Sequence, residues 1–208
     1  GGLIYKAGTF RLGLSYLSPT YYKFEDNLEQ YIETNSIDKD GVRYNDIVDP
    51  QVTNIYFYDF KSPSKLTFSG AAIINNMLIL SLDVISKNYS KSKFKHRNEG
   101  VYNDLNDAIT KNLTNVLDYR FGTELKINQL SLRAGYKAFN NPYNNGEKKY
   151  LISQSFGVGY NFDSATLDFA ILNSTYNYNY QLFDTGLTES SRINNKALKL
   201  IMSYNIIF

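Results

Sequence analysis

Apolar positions recur along this chain with a period of two. Phe10, Leu12, Leu14 and Tyr16 share a face opposite Arg11, Gly13 and Ser15. Leu117, Tyr119, Phe121, Leu125 and Ile127, with Thr123 among them, oppose Asp118, Arg120, Gly122, Glu124 and Lys126. Leu130, Leu132, Ala134, Tyr136 and Ala138 oppose Ser131, Arg133, Gly135 and Lys137. Further on, Phe156, Val158, Tyr160 and Phe162 oppose Ser155, Gly157, Gly159 and Asn161, and Leu167, Phe169 and Ile171 oppose Thr166, Asp168 and Ala170. In the last twelve residues Leu198, Leu200, Met202, Tyr204, Ile206 and Phe208 face away from Lys199, Ser203 and Asn205, with Ile201 and Ile207 as apolar exceptions. Runs of this kind put side chains on the two faces of extended strands. They predict nine strands, over 2–6, 9–24, 54–73, 77–93, 114–127, 130–140, 151–162, 165–181 and 197–208.

The links between these strands alternate in length. Those at 6–9, 74–76, 128–129 and 163–164 are tight, whereas 25–53, 94–113, 141–150 and 182–196 are long and polar. Short turns on one rim and long loops on the other are the habit of a transmembrane β-barrel, and a soluble sandwich has no reason to sort its loops so. The final strand ends on a bare aromatic, Phe208, like the C-terminal strand of bacterial outer-membrane barrels. The expected fold is therefore all-β: an antiparallel transmembrane barrel whose apolar face meets lipid. Bacterial single-chain barrels have an even number of strands, so nine strands, the first a stub opening on Gly1, imply that further N-terminal strands close the ring. The alternative is a closed eight-stranded barrel without residues 1–8.

Composition narrows the choice. The 208 residues include 19 Tyr and 13 Phe but no Trp, and Tyr suits a membrane interface. The longest apolar run, Met77 to Leu82, is interrupted by Ser81 and falls far short of the about 20 residues of a membrane helix. A net charge of +2 with scattered basic residues leaves no nucleic-acid footprint. The absence of Cys excludes disulfides and thiolate chemistry.

Several segments resemble, in order, the FadL family of outer-membrane channels for long-chain fatty acids and other hydrophobic compounds, in the form common in Bacteroidetes. Phe10-Arg-Leu-Gly-Leu-Ser-Tyr-Leu-Ser-Pro-Thr-Tyr-Tyr22 is similar to that family's RLGLAYHSPTWY, departing from it at Leu17 and Tyr21. Tyr58-Asp-Phe-Lys-Ser-Pro-Ser-Lys-Leu-Thr-Phe-Ser-Gly-Ala71 resembles its Y-x-x-x-TP-x-x-L-x-x-S-G-A strand. Leu80–Asp83, Tyr119–Glu124, Leu132–Tyr136, Asn141–Tyr143 and Phe156–Tyr160 continue the series. The resemblance covers essentially the whole chain but only the C-terminal half of the family's length. It implies a 14-stranded barrel whose N-terminal hatch, first strands and laterally opening kinked strand lie outside this chain.

The pleat gathers Arg11, Lys65, Asp83, Asp118, Arg120, Glu124, Lys126, Arg133, Lys137, Asp168 and Lys199 on the lumenal side. Charges there must pair or stay hydrated, so the plain reading is a structural network filling a plugged barrel. The sharper one is that Arg120 or Arg133 holds a ligand carboxylate. In the acidic segment 25–53, Leu28, Tyr31 and Ile32 have the spacing of a short amphipathic helix over the pore mouth, and the family resemblance implies that an external loop of this kind shares in the first capture of a hydrophobic ligand. Asp38-Lys-Asp-Gly41 resembles a cation loop but lacks the EF-hand spacing, so a solvated loop is expected. Leu105, Ala108, Ile109 and Leu113 predict an external helix. Lys91, Lys93, Lys95 and Arg97 lie at the outer rim, where they would meet solvent or lipopolysaccharide phosphates. The single His96 has no carboxylate near it in sequence, and no metal, cofactor or catalytic motif is present.

These readings converge on a non-enzymatic channel, in the bacterial outer membrane, for passive uptake of long-chain fatty acids or other hydrophobic compounds. Its partners would be membrane lipid or lipopolysaccharide, a hydrophobic small molecule, the N-terminal half of the same barrel and other envelope proteins. The alternatives are a FadL-like docking accessory of type 9 secretion and a small standalone structural or adhesive barrel.

Overall fold

The nine expected strands pair in sequence order into one antiparallel sheet. The computed structural model of the chain describes residues 1–49, 52–96, 100–144, 149–182, 186 and 189–206, so Arg97, Ile207 and Phe208 lie outside the described residues. The strands are β1 (Gly2–Ala7), β2 (Phe10–Leu17), β3 (Tyr21–Glu29), β4 (Ile32–Ile37), β5 (Arg43–Val48), β6 (Thr53–Lys61), β7 (Lys65–Ile74), β8 (Leu78–Asn88), β9 (Lys93–Lys95), β10 (Asn115–Ile127), β11 (Leu130–Asn140), β12 (Lys149–Phe162), β13 (Ala165–Tyr180) and β14 (Ser191–Ile206). The main sheet has nine strands in the order β1-β2-β7-β8-β10-β11-β12-β13-β14. Its short links turn on Gly8, Asn75, Asn76, Asn128 and Asp163, all at positive φ. Gly, Asn and Asp tolerate that region best, which is why the hairpins close where the sequence places them.

Two expected strands are broken at the same level. Segment 9–24 divides into β2 and β3 at Ser18-Pro19-Thr20, and 54–73 into β6 and β7 at Ser62-Pro63-Ser64. Neither proline can donate to a ladder. The breaks face each other, because Ser62 N–H donates to Thr20 O and Thr20 N–H to Ser62 Oγ, both at 2.9 Å. Beyond them the chain leaves the main sheet and builds a three-stranded extension, β3-β6-β9, continued by the β4–β5 hairpin. The helix expected around Leu28, Tyr31 and Ile32 does not form. Leu28 lies in β3, paired with Asn54, and Ile32 in β4, paired with Val48. Here β3 pairs along its length with β6 and β4 with β5, whereas an isolated short helix would have to stand alone in water. The external helix is present as α1 (Asn103–Asn112).

The sheet has two chemically distinct faces. Register places Leu14, Phe68, Val84, Tyr119, Ala138 and Ile152 on one face, and Gly13, Ser69, Asp83, Arg120, Lys137 and Ser153 on the other. No second layer covers the apolar face among the described residues: Phe156 is 65 % exposed, Leu200 74 % and Met202 65 %. Buried hydrophobic residues are few among the described residues (Ile85, Val116, Ala138, Ala165), so the sheet encloses no dry core of its own. On β10 the apolar face runs from Leu117 to Ile127. At about 3.3 Å per residue and a tilt of about 40° this spans about 25 Å, the height of a barrel's lipid band.

The eight-stranded alternative is excluded by pairing. The edge of β2 that would have to meet β14 is occupied by β1 over the full register Gly2↔Ser15 to Ala7↔Phe10.

Candidate functional site

The polar face of the main sheet carries every residue expected to be lumenal. Across it Arg11 meets Ala71, Lys65 meets Lys87, Arg120 lies between Asp83 and Lys137, Glu124 faces Arg133, and Asp168 and Lys199 follow on β13 and β14. These residues do not form one continuous network. Two charge clusters are present, separated by a track of small side chains.

The upper cluster is built around Asp118. Its carboxylate side chain is 3 % exposed, accepts from Lys87 Nζ at 2.9 Å and accepts from the Asn140 backbone N–H at 3.0 Å. The Asn140 side chain in turn donates to Leu117 O. Phe139 fills the space beside this pair. The Arg120 guanidinium lies 5.6 Å from its ring centroid and Lys87 Nζ lies 5.7 Å from it. Arg120 forms no ion pair among the described residues, although Asp83 sits directly across from it.

The lower cluster neutralises Arg133. Asp168 accepts from Arg133 Nη1 at 2.5 Å, and Glu124 lies 3.5 Å from Arg133 Nε and 3.7 Å from Lys126 Nζ. Room for this arrangement comes from glycine. A Cβ on Gly159 would overlap the Asp168 carboxylate and stand 3.1 Å from Arg133 Nη1. Between the clusters run Ala71, Ser81, Gly122, Gly135 and Ser155 in register. A Cβ on Gly122 would come within 2.8 Å of Ser81 Oγ, and one on Gly135 within 2.6 Å of Ser155 Oγ. The wall is thus thinned to backbone along this track. A cavity of about 500 Å³ opens at one end of it, between Arg11, Ser69, Ala71, Ser81 and Asp83. Another of about 390 Å³ lies at the other end, beside Arg133, Ser155, Gly157, Asp168 and Ser203.

The remaining candidates lie elsewhere. Arg11 is turned to the β1–β2 turn, donating to Gly8 O at 2.7 Å and to Phe10 O at 2.9 Å. Lys65, Lys137 and Lys199 share the polar face without an ion pair among the described residues. Leu28, Tyr31 and Ile32 belong to the extension, and Tyr31 and Ile32 are 69 % and 65 % exposed. The Asp38 carboxylate accepts the N–H groups of Asp40 and Val42, each at 2.9 Å, and the Tyr44 hydroxyl at 3.2 Å. Those donors, the Val42 N–H foremost, hold its pKa below the ordinary aspartate range. The turn, closed by Gly41 at φ 81°, therefore uses the oxygens that a cation would need.

Sequence reasoning missed three features. Lys87, the partner of Asp118, shares parity with Asp83 four residues earlier, so the pleat pointed to it. Phe139 shares parity with Arg133 and Lys137. The third is an aromatic cluster on the extension: Tyr22, Phe24, Tyr58, Phe60, Phe94 and Tyr102 have ring centroids 4.9–6.4 Å apart. Helix α1 secures it, with the Asn106 side chain donating to Phe94 O at 2.9 Å and accepting from Phe94 N–H at 2.8 Å. The Tyr58 hydroxyl donates to Asp26 at 2.8 Å, which raises the Tyr58 pKa. His96 meets the Tyr102 ring edge-on at 6.2 Å.

No protein-family model matches the chain, and no curated protein matches it in sequence. Solved structures do match it in fold. The toluene transporter TodX of P. putida superposes with a TM-score of 0.51 at 20 % identity, over 100 % of this chain and 48 % of that one. A FadL homologue of Pseudomonas aeruginosa gives 0.58 at 13 % identity, over 98 % and 49 %. The monoaromatic hydrocarbon channel CymD gives 0.54 at 14 % identity, over 100 % and 50 %. The chain spans about half the length of the solved structures it matches. Its fold is that of about half the wall of a FadL-type β-barrel, and the open nine-stranded sheet is that portion.

Proposed function

We propose that the chain forms about half the wall of a bacterial outer-membrane channel through which hydrophobic compounds diffuse passively. The observation that carries this reading is the sorting of side chains on nine successive strands, with an uncovered apolar band on one face and charges, glycines and serines on the other. Ring closure supports it. Eight antiparallel pairings separate β1 from β14, so these two edges run parallel. Antiparallel closure needs an odd number of further strands, and five would complete the fourteen implied by the sequence resemblance. The names of the fold neighbours, a toluene transporter and a monoaromatic hydrocarbon channel, favour a hydrophobic cargo.

Within this reading the cargo is a long-chain fatty acid and Arg120 meets its carboxylate. Arg120 is the arginine of the polar face held by a ring rather than by a carboxylate, whereas Arg133 is already shared by Asp168 and Glu124 and braces the wall. Leu28, Tyr31 and Ile32 on the extension make first contact with cargo. The test is uptake by vesicles carrying the intact protein. Arg120→Ala is expected to slow fatty-acid entry about ten-fold, the worth of one charge-assisted hydrogen bond, and to leave toluene entry unchanged. Fatty-acid entry in the variant as fast as in wild type, or toluene entry slowed to the same degree, would remove Arg120 from carboxylate binding. Wild-type vesicles that admit neither cargo would overturn the channel reading.

One feature favours the secretion-accessory reading. Ile32, Ile37, Ile47 and Val48 on the projecting β4–β5 hairpin are 62–65 % exposed and offer a protein-binding edge. Co-purification with a secretion translocon, together with failed uptake, would select that reading.

A further inference from the structure

Two pairs of lysines stand directly across from each other on adjacent strands. Lys65 on β7 faces Lys87 on β8, and Lys61 on β6 faces Lys93 on β9. Like charges so placed repel, so neither pair holds the sheet together. Both pairs lie on one continuous face. The pairing Leu17↔Lys65 below the proline breaks resumes as Tyr21↔Lys61 above them, four residues on along each strand. The ribbon of β2–β3 and β6–β7 therefore keeps its register and its two faces through the breaks. On the neighbouring strand six residues separate Lys87 from Lys93 where four separate Lys65 from Lys61. The 3-10 turn Tyr89–Lys91 takes up the extra two, and an even insertion preserves parity.

The inward face of the wall thus continues upward as a lysine face. One level higher Lys23 and Lys95 join it, on either side of Asp59 in the register Lys23↔Asp59↔Lys95. Two acids face these lysines, Asp59 among them and Asp118 below. Among the described residues the ion pair they form is that of Lys87 with Asp118. The ammonium groups of Lys61 and Lys95 each lie 5.9 Å from the centroid of Tyr21, so they share a ring rather than a carboxylate. The aromatic cluster occupies the opposite face, through the register Tyr22↔Phe60↔Phe94. Above the lysines their own face turns apolar. Phe57 and Ile55, across from Glu25 and Asn27, are 56 % and 52 % exposed. Below the lysines, Arg120 and Lys137 follow in the register Asp83↔Arg120↔Lys137.

We infer that this face selects an anionic amphiphile and leads its carboxylate headgroup from the outer mouth down to Arg120. This rests on the channel reading above and adds to it the sign of the cargo and its route of entry. Successive lysine levels are about 7 Å apart within the extension and about 13 Å apart across the proline breaks. A carboxylate can therefore exchange one charge-assisted partner for the next as it descends. An anion arriving between two facing lysines relieves their repulsion, so the arrangement that destabilises the bare wall favours the loaded one. At the lower level Lys87 is taken by Asp118, and Lys65 is the cation that receives the headgroup. A surface of one sign at the pore mouth also raises the rate at which opposite charge arrives. Phe57 and Ile55 hold the tail while the headgroup engages the lysines. A neutral cargo has the tail alone and gains nothing from them.

The test is stopped-flow association of a fluorescent polyene fatty acid, and of its methyl ester, with the intact protein in uncharged detergent. Acid and ester share one tail and differ in charge. Wild type is expected to take up the acid about ten-fold faster than the ester at low salt, at the lower end of electrostatic steering. The advantage should vanish at about 1 M salt, where the screening length is about 3 Å. The double variant Lys61→Gln, Lys93→Gln should lose the advantage and leave the ester rate unchanged. Lys61→Arg with Lys93→Arg, and the α1 control Lys111→Gln, should keep it. Heat-modifiable mobility in electrophoresis reports folding for each sample. A wild type without the advantage, or a folded Gln variant that retains it, overturns the inference. Equal slowing of acid and ester in the Gln variant also overturns it, because the lysines would then only shape the extension. Ligand entry into vesicles carrying the same proteins separates the two claims. Ester admitted with no advantage for the acid sinks only this one. The advantage intact with neither ligand admitted sinks the channel and leaves an anion-capturing surface.

Discussion

Removing the Asp118 carboxylate should cost far more stability than removing any other acid of the wall. Asp118 is 3 % exposed while Lys87, its partner at 2.9 Å, is 24 % exposed. Asp118→Ala leaves the Lys87 ammonium unpaired and the Asn140 N–H without its acceptor. Breaking a buried pair from one side costs roughly 3–5 kcal/mol, and the partial exposure of Lys87 places this case at the lower end. The orphaned N–H adds about 1 kcal/mol, so the expected loss is about 4 kcal/mol. Asp118→Asn keeps an oxygen for the Asn140 N–H and should lose about 2 kcal/mol. Glu124→Ala is the internal comparison. Its contacts, at 3.5 and 3.7 Å, involve cations about half exposed, and it should lose less than about 1 kcal/mol. Urea unfolding of the intact protein in lipid vesicles, followed by heat-modifiable mobility, measures all three. Equal losses for Asp118→Ala and Glu124→Ala, or a loss below about 1 kcal/mol for Asp118→Ala, would refute the assignment of a buried structural pair.

Gly159→Ala should uncouple Arg133 from Asp168, because the added Cβ occupies the space of the carboxylate. A double-mutant cycle on Arg133 and Asp168 is expected to show coupling in the wild-type background and none in the Gly159→Ala background. For the β4–β5 turn, the folded pKa of Asp38 lies below its unfolded value, so the stabilisation is present above the unfolded value and is lost as pH falls through the folded one. Protection of the Asp40 and Val42 amides, relative to free amides at the same pH, should therefore be lost only below the ordinary carboxylate range in wild type. In Asp38→Ala it should be absent at every pH, and protection that persisted there would remove Asp38 from the turn.

The main sheet was legible because two independent signals agreed. Alternation marked the strands, and Gly8, Asn75-Asn76, Asn128 and Asp163 marked the turns, so β10 and β11 fall within a residue of their expected limits. The extension was not legible. Tyr22 and Phe24 keep the parity of Leu14 and Tyr16, and Tyr58 and Phe60 keep that of Leu66 and Phe68, so the pattern passes through the breaks unchanged. Pro19 and Pro63 alone announce them. The pairing of β6 with β9 joins Asp59 to Lys95, a long-range contact that no local pattern encodes. Leu28, Tyr31 and Ile32 imitate helical spacing because a short run of mixed residues satisfies both periods. At the site, parity was enough to collect the charges on one face. It could not say which would pair, because Arg133 reaches Asp168 through a gap made by Gly159 on an intervening strand, and a glycine's missing side chain carries no periodic signal.

The central claim is that one face of the sheet meets lipid and the other an aqueous interior. This chain has no cysteine, so each introduced thiol along β10 reports its own surroundings. Single Cys variants at Leu117 through Lys126 of the intact protein in lipid vesicles, labelled with a membrane-impermeant maleimide and quenched by a lipid-chain spin label, would show the pattern directly. The account predicts strict alternation, with lipid quenching at Leu117, Tyr119, Phe121, Thr123 and Leu125, and aqueous labelling at Arg120, Gly122, Glu124 and Lys126. Uniform aqueous labelling on both faces, or alternation with the opposite parity, would contradict it.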